Sequence, residues 1–196
     1  MTASLSTDEV LNEFRGCGAL LEGHFKLSSG RHSGHYLQCA RVLMNPARAA
    51  RLAEATCAKI PEEILEQIDV VVSPAMGGII MGHEVGRALD KDALFLERPE
   101  GTFHLRRGFR IEPGAKVLMV EDVVTTGLSS REAIEAVARE GGEVIAECSL
   151  VDRSEGSADL GVPFFPLVAI DFPTYAEDEL PDELARVPVT KPGSRK

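Results

Sequence analysis

Residues 117–130 have the sequence VLMVEDVVTTGLSS. Four apolar residues lead into two adjacent carboxylates, and after two further valines a Thr-Thr-Gly turn opens an amphipathic segment. A short apolar run of this kind is typical of a strand that is buried on both faces of a parallel sheet. The run therefore predicts a strand, a tight turn and a helix in direct succession.

The turn has the chemistry of a phosphate cradle. A helix N-terminus offers unpaired backbone N–H groups and a partial positive charge, and Gly127 lets the backbone approach an anion closely. Hydroxyl donors are added by Thr125, Thr126 and Ser129. Acids after a strand and a Ser129–Glu132 capping box are also common as purely structural features, so the prediction depends on the combination.

Glu121 and Asp122 stand directly before this cradle. Ionised carboxylates only accept hydrogen bonds, so the pair suits two vicinal ribose hydroxyls, and it also suits Mg²⁺ held through hydroxyls or water. The chain has neither a GxGxxG nor a GxxxxGK[ST] motif, which excludes the two commonest other nucleotide loops.

Strands and helices alternate along the rest of the chain, which predicts an α/β fold with a mostly parallel central sheet flanked by helices. The predicted helices are 7–21, 46–60, 79–89 and 130–139, and the predicted strands are 68–73, 93–96, 116–120, 144–151 and 164–170. We expect one domain over residues 1–196, with a small hood at about 1–45 plus part of the C-terminal tail and a core at about 46–172.

The composition limits the function classes. The net charge of −10 argues against an extended basic surface for nucleic acid or anionic membrane. No apolar run is long enough for a membrane helix, and residues 1–10 lack the pattern of a secretory signal, so we expect a cytoplasmic protein. The four cysteines form no CxxC pair, which favours reduced thiols over a zinc site.

Residues 117–130 resemble the phosphoribosyl diphosphate signature of type I phosphoribosyltransferases. The resemblance implies that the donor's 5-phosphate is bound along the signature and its ribose hydroxyls by the two acids. Two carboxylates would also stabilise the oxocarbenium-like centre that develops when the bond to diphosphate breaks. The implied donor-binding residues are Glu121, Asp122, Val123, Val124, Thr125, Thr126, Gly127, Leu128 and Ser129, with Glu121 and Asp122 also catalytic.

Two further segments resemble the orotate phosphoribosyltransferases within this family. Residues 152–156, DRSEG, match the pattern whose arginine reads orotate, which implies that Arg153 binds the base together with Thr125. Residues 29–36, SGRHSGHY, match the hood loop that leads to an aromatic over the base, here Tyr36. Many members have Lys where this chain has Ser28, and Lys26 either reaches the same anion or is a solvated surface lysine.

The remaining matches concern the diphosphate. Residues 74–78, PAMGG, resemble the family's diphosphate loop, with Gly77 at the binding position but without the lysine of many members. Arg98 matches the catalytic arginine that begins a flexible loop, commonly donated by the neighbouring subunit. It stays open which of His104, Arg106 and Arg107 contacts diphosphate. The alternative is that this segment is only a two-stranded excursion whose charged side chains are solvated.

The resemblance implies Mg²⁺-dependent transfer of ribose 5-phosphate to orotate, giving orotidine 5′-monophosphate and diphosphate in pyrimidine biosynthesis. Mg²⁺ would be held through the substrate and not by the protein alone. We expect small-molecule substrates, a homodimer that shares a lid loop, and no nucleic acid or membrane partner. Two alternatives remain, namely transfer to another purine or pyrimidine and a non-catalytic nucleotide-sensing regulator of the same fold.

Overall fold

The computed structural model describes residues 5–27 and 29–191. The helices are α1 (Thr7–Gly16), α2 (Cys39–Leu43), α3 (Pro46–Cys57), α4 (Glu62–Leu65), α5 (Gly78–Leu89), α6 (Leu128–Arg139) and α7 (Asp182–Ala185). The strands are β1 (Leu20–Lys26), β2 (His32–Leu37), β3 (Val70–Pro74), β4 (Ala93–Glu97), β5 (His104–Leu105), β6 (Lys116–Val124), β7 (Glu143–Asp152), β8 (Phe164–Ala169), β9 (Thr174–Tyr175) and β10 (Val189–Thr190).

The central sheet has the strand order β5-β4-β3-β6-β7-β8 in the part of the chain that the structure describes. All neighbouring pairs are parallel except β4 with β5, which form an antiparallel hairpin. β4, the next strand along the chain, lies on one side of β3, and β6 lies on the other side of β3. The α/β prediction with a mostly parallel sheet is confirmed.

Helices cover both faces of this sheet because its strands are apolar on both faces. On one face, α3 and α5 pack against buried residues such as Val71, Leu118 and Leu150. On the other face, α6 packs against the sheet through a second cluster, which includes Met119 of β6 and Val137 of α6 itself. This packing holds the ends of the parallel strands in one plane, so the loops that follow them have fixed positions.

A second, smaller sheet has the order β10-β1-β2-β9 within residues 5–27 and 29–191. β1 and β2 form an antiparallel pair from the N-terminal part of the chain, whereas β9 and β10 come from the C-terminal part. The His24 ring nitrogen Nδ1 lies 2.9 Å from the Val187 carbonyl oxygen, next to the parallel β1–β10 pair. Two distant segments thus build one layer beside the central sheet.

Several predicted boundaries are wrong in an informative way. The first helix ends at Gly16 and not at residue 21, because Gly18 adopts a left-handed φ of 65° and Leu20 begins β1. The second helix ends at Cys57 instead of residue 60. β6 extends to Val124, four residues beyond the prediction, so Glu121 and Asp122 lie inside a strand and not after it.

The sequence predicts reduced thiols and no membrane helix, and the described residues can be compared with both predictions. Cys39, Cys57 and Cys148 are buried free thiols, and Cys17 is a free thiol that is partly exposed. The helices described here are at most 12 residues long. None of them is sufficiently long and apolar to cross a bilayer.

Candidate active site

The site lies where the parallel strands of the central sheet end. The carboxyl ends of β3, β4, β6 and β7 meet at one edge, and the loops after them contain the predicted residues. α/β sheets bind ligands at this edge, at the point where the strand order reverses. In this sheet that point lies between β3 and β6, so Gly77 and the 125–129 turn flank the crevice.

The two glycines that start α5 pack closely against the acidic pair on β6. A β-carbon added at Gly77 would lie 2.6 Å from Oδ1 of Asp122, and one at Gly78 would lie 3.4 Å from Oε2 of Glu121. A side chain at Gly77 would therefore have to displace the carboxyl group of Asp122. The contact brings the backbone of the predicted diphosphate loop against the predicted ribose-binding carboxylates.

Both carboxyl groups are held in an environment that penalises negative charge. Burial raises the pKa of Glu121 well above its usual value, and the charges of Asp122 and Glu147 raise it further, while a hydrogen bond from Ser129 lowers it in part. Burial also raises the pKa of Asp122. A cation or a developing positive charge in the crevice would favour the ionised form of the pair and would be stabilised by it in return.

The first turn of α6 presents its backbone N–H groups to the same crevice. Gly127 is the N-cap at φ 71° and no side chain caps the helix. The Arg131 guanidinium donates hydrogen bonds to the carbonyl oxygens of Thr126 and Asp159, at 3.2 and 2.9 Å, which fixes the turn from outside. The Ser129–Glu132 capping box does not form, and Glu132 instead pairs with Arg98. An uncapped helix start is the arrangement that a phosphate would fill.

Arg153 follows β7 and lies beside this turn. Its backbone N–H donates to the Val124 carbonyl oxygen at 2.8 Å, so Arg153 and Thr125 leave adjacent strands side by side. Burial lowers the pKa of Arg153, and nothing in the described chain accepts a hydrogen bond from its Nε. Its guanidinium carbon is 5.7 Å from the ring centre of Phe172, which orients the planar fork. A half-buried guanidinium with a free N–H is suited to a planar carboxylate.

Comparison with known proteins agrees with this geometry. A family model described as the phosphoribosyl transferase domain matches residues 40–161. An orotate phosphoribosyltransferase of Erythrobacter litoralis is 76% identical over 191 residues, which is 97% of this chain and 99% of that protein. The chain belongs to the orotate phosphoribosyltransferase family. The family resemblance seen in the sequence is confirmed, and membership makes the chain an enzyme of the pentosyltransferase class.

More distant relatives of this family extend the comparison. An orotate phosphoribosyltransferase of Caulobacter vibrioides is 53% identical over 98% of both chains. The crystal structure of the orotate phosphoribosyltransferase from Aeropyrum pernix has a TM-score of 0.66 at 28% identity and covers 80% of this chain and 91% of that one. An adenine phosphoribosyltransferase also matches, with a TM-score of 0.62 at 18% identity over 80% of this chain and 99% of that one, which shows the shared fold alone.

The structure does not bring all base-binding residues predicted from the family together. Tyr36 lies opposite Leu21 and is close enough to Arg153 for its charge to influence the pKa of that guanidinium. Lys26 lies opposite His32, about 13 Å further along the hairpin at 3.3 Å per residue. Its ammonium group pairs with Glu177 at 3.1 Å. The prediction for Lys26 stays a prediction, and Ser28, with which it was compared, lies outside the described residues.

The segment that the sequence predicts as a lid contains a short hairpin, and several of its arginines pair with acidic side chains. The guanidinium of Arg107 donates to both oxygens of Glu97, at 2.8 and 3.3 Å, and Arg106 lies 3.5 Å from the same carboxylate. Arg98 stacks at 4.0 Å on the ring of buried Phe103. His104 is exposed on β5. Arg106 and Arg107 are thus held by Glu97 of β4, whereas Arg98 is held by Glu132 of α6.

Two residues that border the candidate site were missed by the sequence predictions. Phe172 stacks on His35 at 4.6 Å and supports Arg153, but its sequence context contains no signal for either contact. Glu147 lies fully buried beneath α6 and raises the pKa of Glu121. A charged residue inside the apolar run of β7 was a visible signal that could have found it.

The residues of the site suit a magnesium ion that is bound mainly by the substrate, and they do not suit one that is held by the protein alone. Across residues 5–27 and 29–191, no three His, Cys, Asp or Glu side chains are grouped to hold a metal ion. Glu121 and Asp122 supply the hard oxygen atoms that Mg²⁺ prefers, and Mg²⁺ usually keeps several waters and substrate oxygens. The donor set is therefore compatible with an ion that enters with the donor substrate.

Proposed function

We propose that the chain transfers the ribose 5-phosphate group from 5-phosphoribosyl 1-diphosphate to orotate, giving orotidine 5′-monophosphate and diphosphate in UMP biosynthesis. The observation that carries the choice of orotate is Arg153, whose buried Nε has no partner within the described chain beside the phosphate turn. Orotate carries a planar carboxylate that fits this fork, whereas purines and uracil carry none. Thr125 and Tyr36 complete the proposed base site.

The donor substrate binds at the carboxyl ends of the parallel strands. Its 5-phosphate is bound by backbone N–H groups and hydroxyls of residues 123–129, at the uncapped N-terminus of α6. Glu121 and Asp122 accept hydrogen bonds from the ribose hydroxyls. The backbone of Gly77 faces Asp122 and is available to the diphosphate.

The reaction depends on positioning and charge rather than on a protein nucleophile. The base nitrogen attacks C1 of the ribose as the bond to diphosphate breaks, and positive charge develops at the ring. The buried carboxylates Glu121 and Asp122 lie where this charge develops and stabilise it. Arg98 neutralises charge on the departing diphosphate once it exchanges Glu132 for the substrate.

Magnesium is the proposed cofactor. When bound, Mg²⁺ would act as a Lewis acid that screens the negative charge of the donor's diphosphate. Glu121 and Asp122 are the residues near enough to orient its waters and the ribose hydroxyls. Burial raises the pKa of both groups, so a cation that enters the crevice would favour their ionised form.

A homodimer with a shared lid is the proposed assembly, and the chain works in the cytoplasm. Met76 in the diphosphate loop is 82% exposed and Ile80, one turn later, is 43% exposed. Adjacent exposed apolar residues at a site's rim support a contact with a second copy. Arg106 and Arg107 would then reach a diphosphate, either in their own site or in the partner's, after release from Glu97. Lys26 would need to leave Glu177 to reach the base.

The test is the depletion of orotate, followed by its ultraviolet absorbance, with purified protein, phosphoribosyl diphosphate and Mg²⁺. We expect turnover by the wild type, strong loss in Arg153→Ala and slower turnover in Arg106→Ala. Uracil, adenine, guanine and hypoxanthine serve as alternative acceptors. Absence of orotate-dependent diphosphate release, or faster transfer to one of these bases, would contradict the proposed function, and nucleotide binding without any turnover would favour a sensing role.

A further inference from the structure

The strongest feature outside the site already described is a buried carboxyl group under the phosphate turn. Glu147 has no solvent exposure and lies in the middle of the central sheet, opposite Met119 of β6 on one side and Phe164 of β8 on the other. Carboxylates are almost never fully buried unless they are paired. No cation pairs with Glu147 among the described residues.

What Glu147 does contact is the first turn of α6. The Ser130 hydroxyl donates to Glu147 Oε1 at 2.6 Å, and both residues are buried. Glu147 Oε2 has no hydrogen-bond partner in the part of the chain that the structure describes. Ser130 is the third residue of α6, so this bond links the sheet directly to the backbone that starts the helix.

Ser129 of the same turn hydrogen-bonds Glu121, and another anchor lies on the outer side of the turn. Arg131 bonds the carbonyl oxygens of Thr126 and Asp159 there, with its guanidinium exposed. The Ser130–Glu147 bond is the inner anchor, and it is shielded from water. A hydrogen bond to a buried carboxyl group is stronger and more directional than an exposed one.

We propose that Glu147 is a positioning residue for phosphate binding, which acts by holding Ser130, and with it the first turn of α6, in the geometry that receives the 5-phosphate. This inference rests on the proposed function, because it assumes that the turn binds the donor's phosphate. Glu147 touches neither substrate nor reacting atoms. Its effect reaches the phosphate through Ser130 and the helix backbone.

The charge state of Glu147 links this anchor to pH. Burial raises the pKa of Glu147 to about 7, against a smaller lowering by the Ser130 hydrogen bond. The titratable group that faces it from β6 is Glu121, whose pKa it raises, and Cys148 follows it on β7. From α6 only the Ser130 hydroxyl is bonded to it. Ionisation places a negative charge beneath the helix start that binds phosphate, which opposes a bound dianion.

The experiment separates the anchor from general stability. Ser130→Ala removes the donor, Glu147→Leu removes the acceptor, and Glu147→Gln keeps an acceptor oxygen without the charge. Thr56→Val is the matched control, because Thr56 is a fully buried hydroxyl that bonds Leu52 inside α3, away from the site. For each variant we measure the thermal midpoint, kcat, the KM of each substrate, and the Kd of ribose 5-phosphate by calorimetry.

We expect Ser130→Ala and Glu147→Leu to raise the phosphoribosyl diphosphate KM and the ribose 5-phosphate Kd about tenfold, which is close to the upper end of what one internal hydrogen bond contributes. The orotate KM should change less than about twofold. Glu147→Gln and Thr56→Val should keep phosphate affinity at pH 6.5. The ratio of the wild-type Kd to the Glu147→Gln Kd cancels ionisation of the ligand, and it should rise about threefold from pH 6 to 8.5 as the wild-type carboxyl ionises.

Unchanged phosphate affinity in Ser130→Ala, with only a lower thermal midpoint, would overturn the inference, and so would a Kd ratio that stays constant with pH. If Glu147→Leu fails to fold, Ser130→Ala and the Glu147→Gln ratio still decide it. A wild type without orotate-dependent turnover contradicts the proposed function. An active wild type with unaffected variants contradicts only the role of Glu147.

Discussion

Gly77 leaves space for the carboxylate of Asp122: a β-carbon at Gly77 would come within 2.6 Å of Oδ1 and 2.8 Å of Cγ. Gly77→Ala must therefore displace the Asp122 side chain or the loop that contains Gly77. We expect kcat/KM for phosphoribosyl diphosphate to fall about 100-fold, since a 1 Å displacement of a positioning group is worth this much. Steady-state kinetics with orotate in excess measures the change.

The matched control for Gly77→Ala is Gly16→Ala. Gly16 ends α1, has nothing within 4 Å of an added β-carbon, and does not require a left-handed φ. Its variant should keep wild-type kinetics and stability. Equal activity of the two variants would show that the space beside Asp122 does not matter for catalysis.

Arg153 is expected to control orotate affinity. Arg153→Ala should raise the orotate KM about 100-fold, as expected for the loss of charged hydrogen bonds worth about 2–3 kcal/mol. Arg153→Lys keeps the charge but loses the planar fork, so about a tenfold increase is expected. Arg87→Lys, at an exposed arginine paired with Glu84 and Glu54 on the surface, is the control. An unchanged orotate KM in Arg153→Ala would remove Arg153 from the base site.

Arg98 offers a test of the hairpin. If Arg98 leaves Glu132 to reach the diphosphate, Arg98→Ala should lower kcat by at least about tenfold, whereas Glu132→Gln should change it by less than about twofold. The exposed Arg98–Glu132 pair contributes at most about 1 kcal/mol to stability, so unfolding in urea should differ little between the variants. Equal losses of kcat in the two variants would mean that the ion pair, and not a free Arg98, serves the reaction.

Glu147 makes stability depend on pH in a defined direction. Its pKa is raised from an ordinary 4.5 to about 7 in the folded chain. The folded state therefore binds more protons than the unfolded state between these values, and the free energy of unfolding decreases as pH rises through this window. The total effect is about 3 kcal/mol, of which about 2 kcal/mol is lost between pH 5.5 and 8.

Glu147→Gln removes this titration. Relative to the wild type, the variant should gain about 2 kcal/mol in unfolding free energy when pH rises from 5.5 to 8, because only the wild type has a buried group that ionises there. Urea unfolding at the two pH values gives the difference, and the titrating groups that do not interact with Glu147 cancel in the comparison, whereas Glu121, whose pKa Glu147 raises, contributes to the remainder. A constant difference would mean that Glu147 keeps one charge state throughout.

The sequence was sufficient for the five parallel strands of the central sheet because their signals are local. Residues 117–130 predicted β6, the turn and α6, and the same segment identified the family. The error in β6 has a physical reason: Glu121 and Asp122 continue the strand because β7 pairs with β6 as far as Val124 and Asp152. Polar residues alone do not end a strand whose neighbour continues.

The strand pairing of the small sheet was not predictable in the same way. β9 and β10 are two residues each and depend on pairing with β2 and β1, more than 130 residues away in the chain. A two-residue strand has no periodicity for a sequence reading to detect. The ion pair between Lys26 and Glu177 is equally non-local, so nothing near Lys26 indicated its partner.

The pairing of β1 with β10 has a consequence for the order of folding. His24 and Val189 are opposite one another in the small sheet although they are separated by most of the chain. Contacts of such long range form late, because the loop between them must be ordered first. During synthesis the central sheet can assemble as its strands emerge, whereas the layer with Tyr36 is completed only after Val189 has left the ribosome. A nascent chain can therefore form the turn at residues 125–129 before it completes the layer that contains Tyr36.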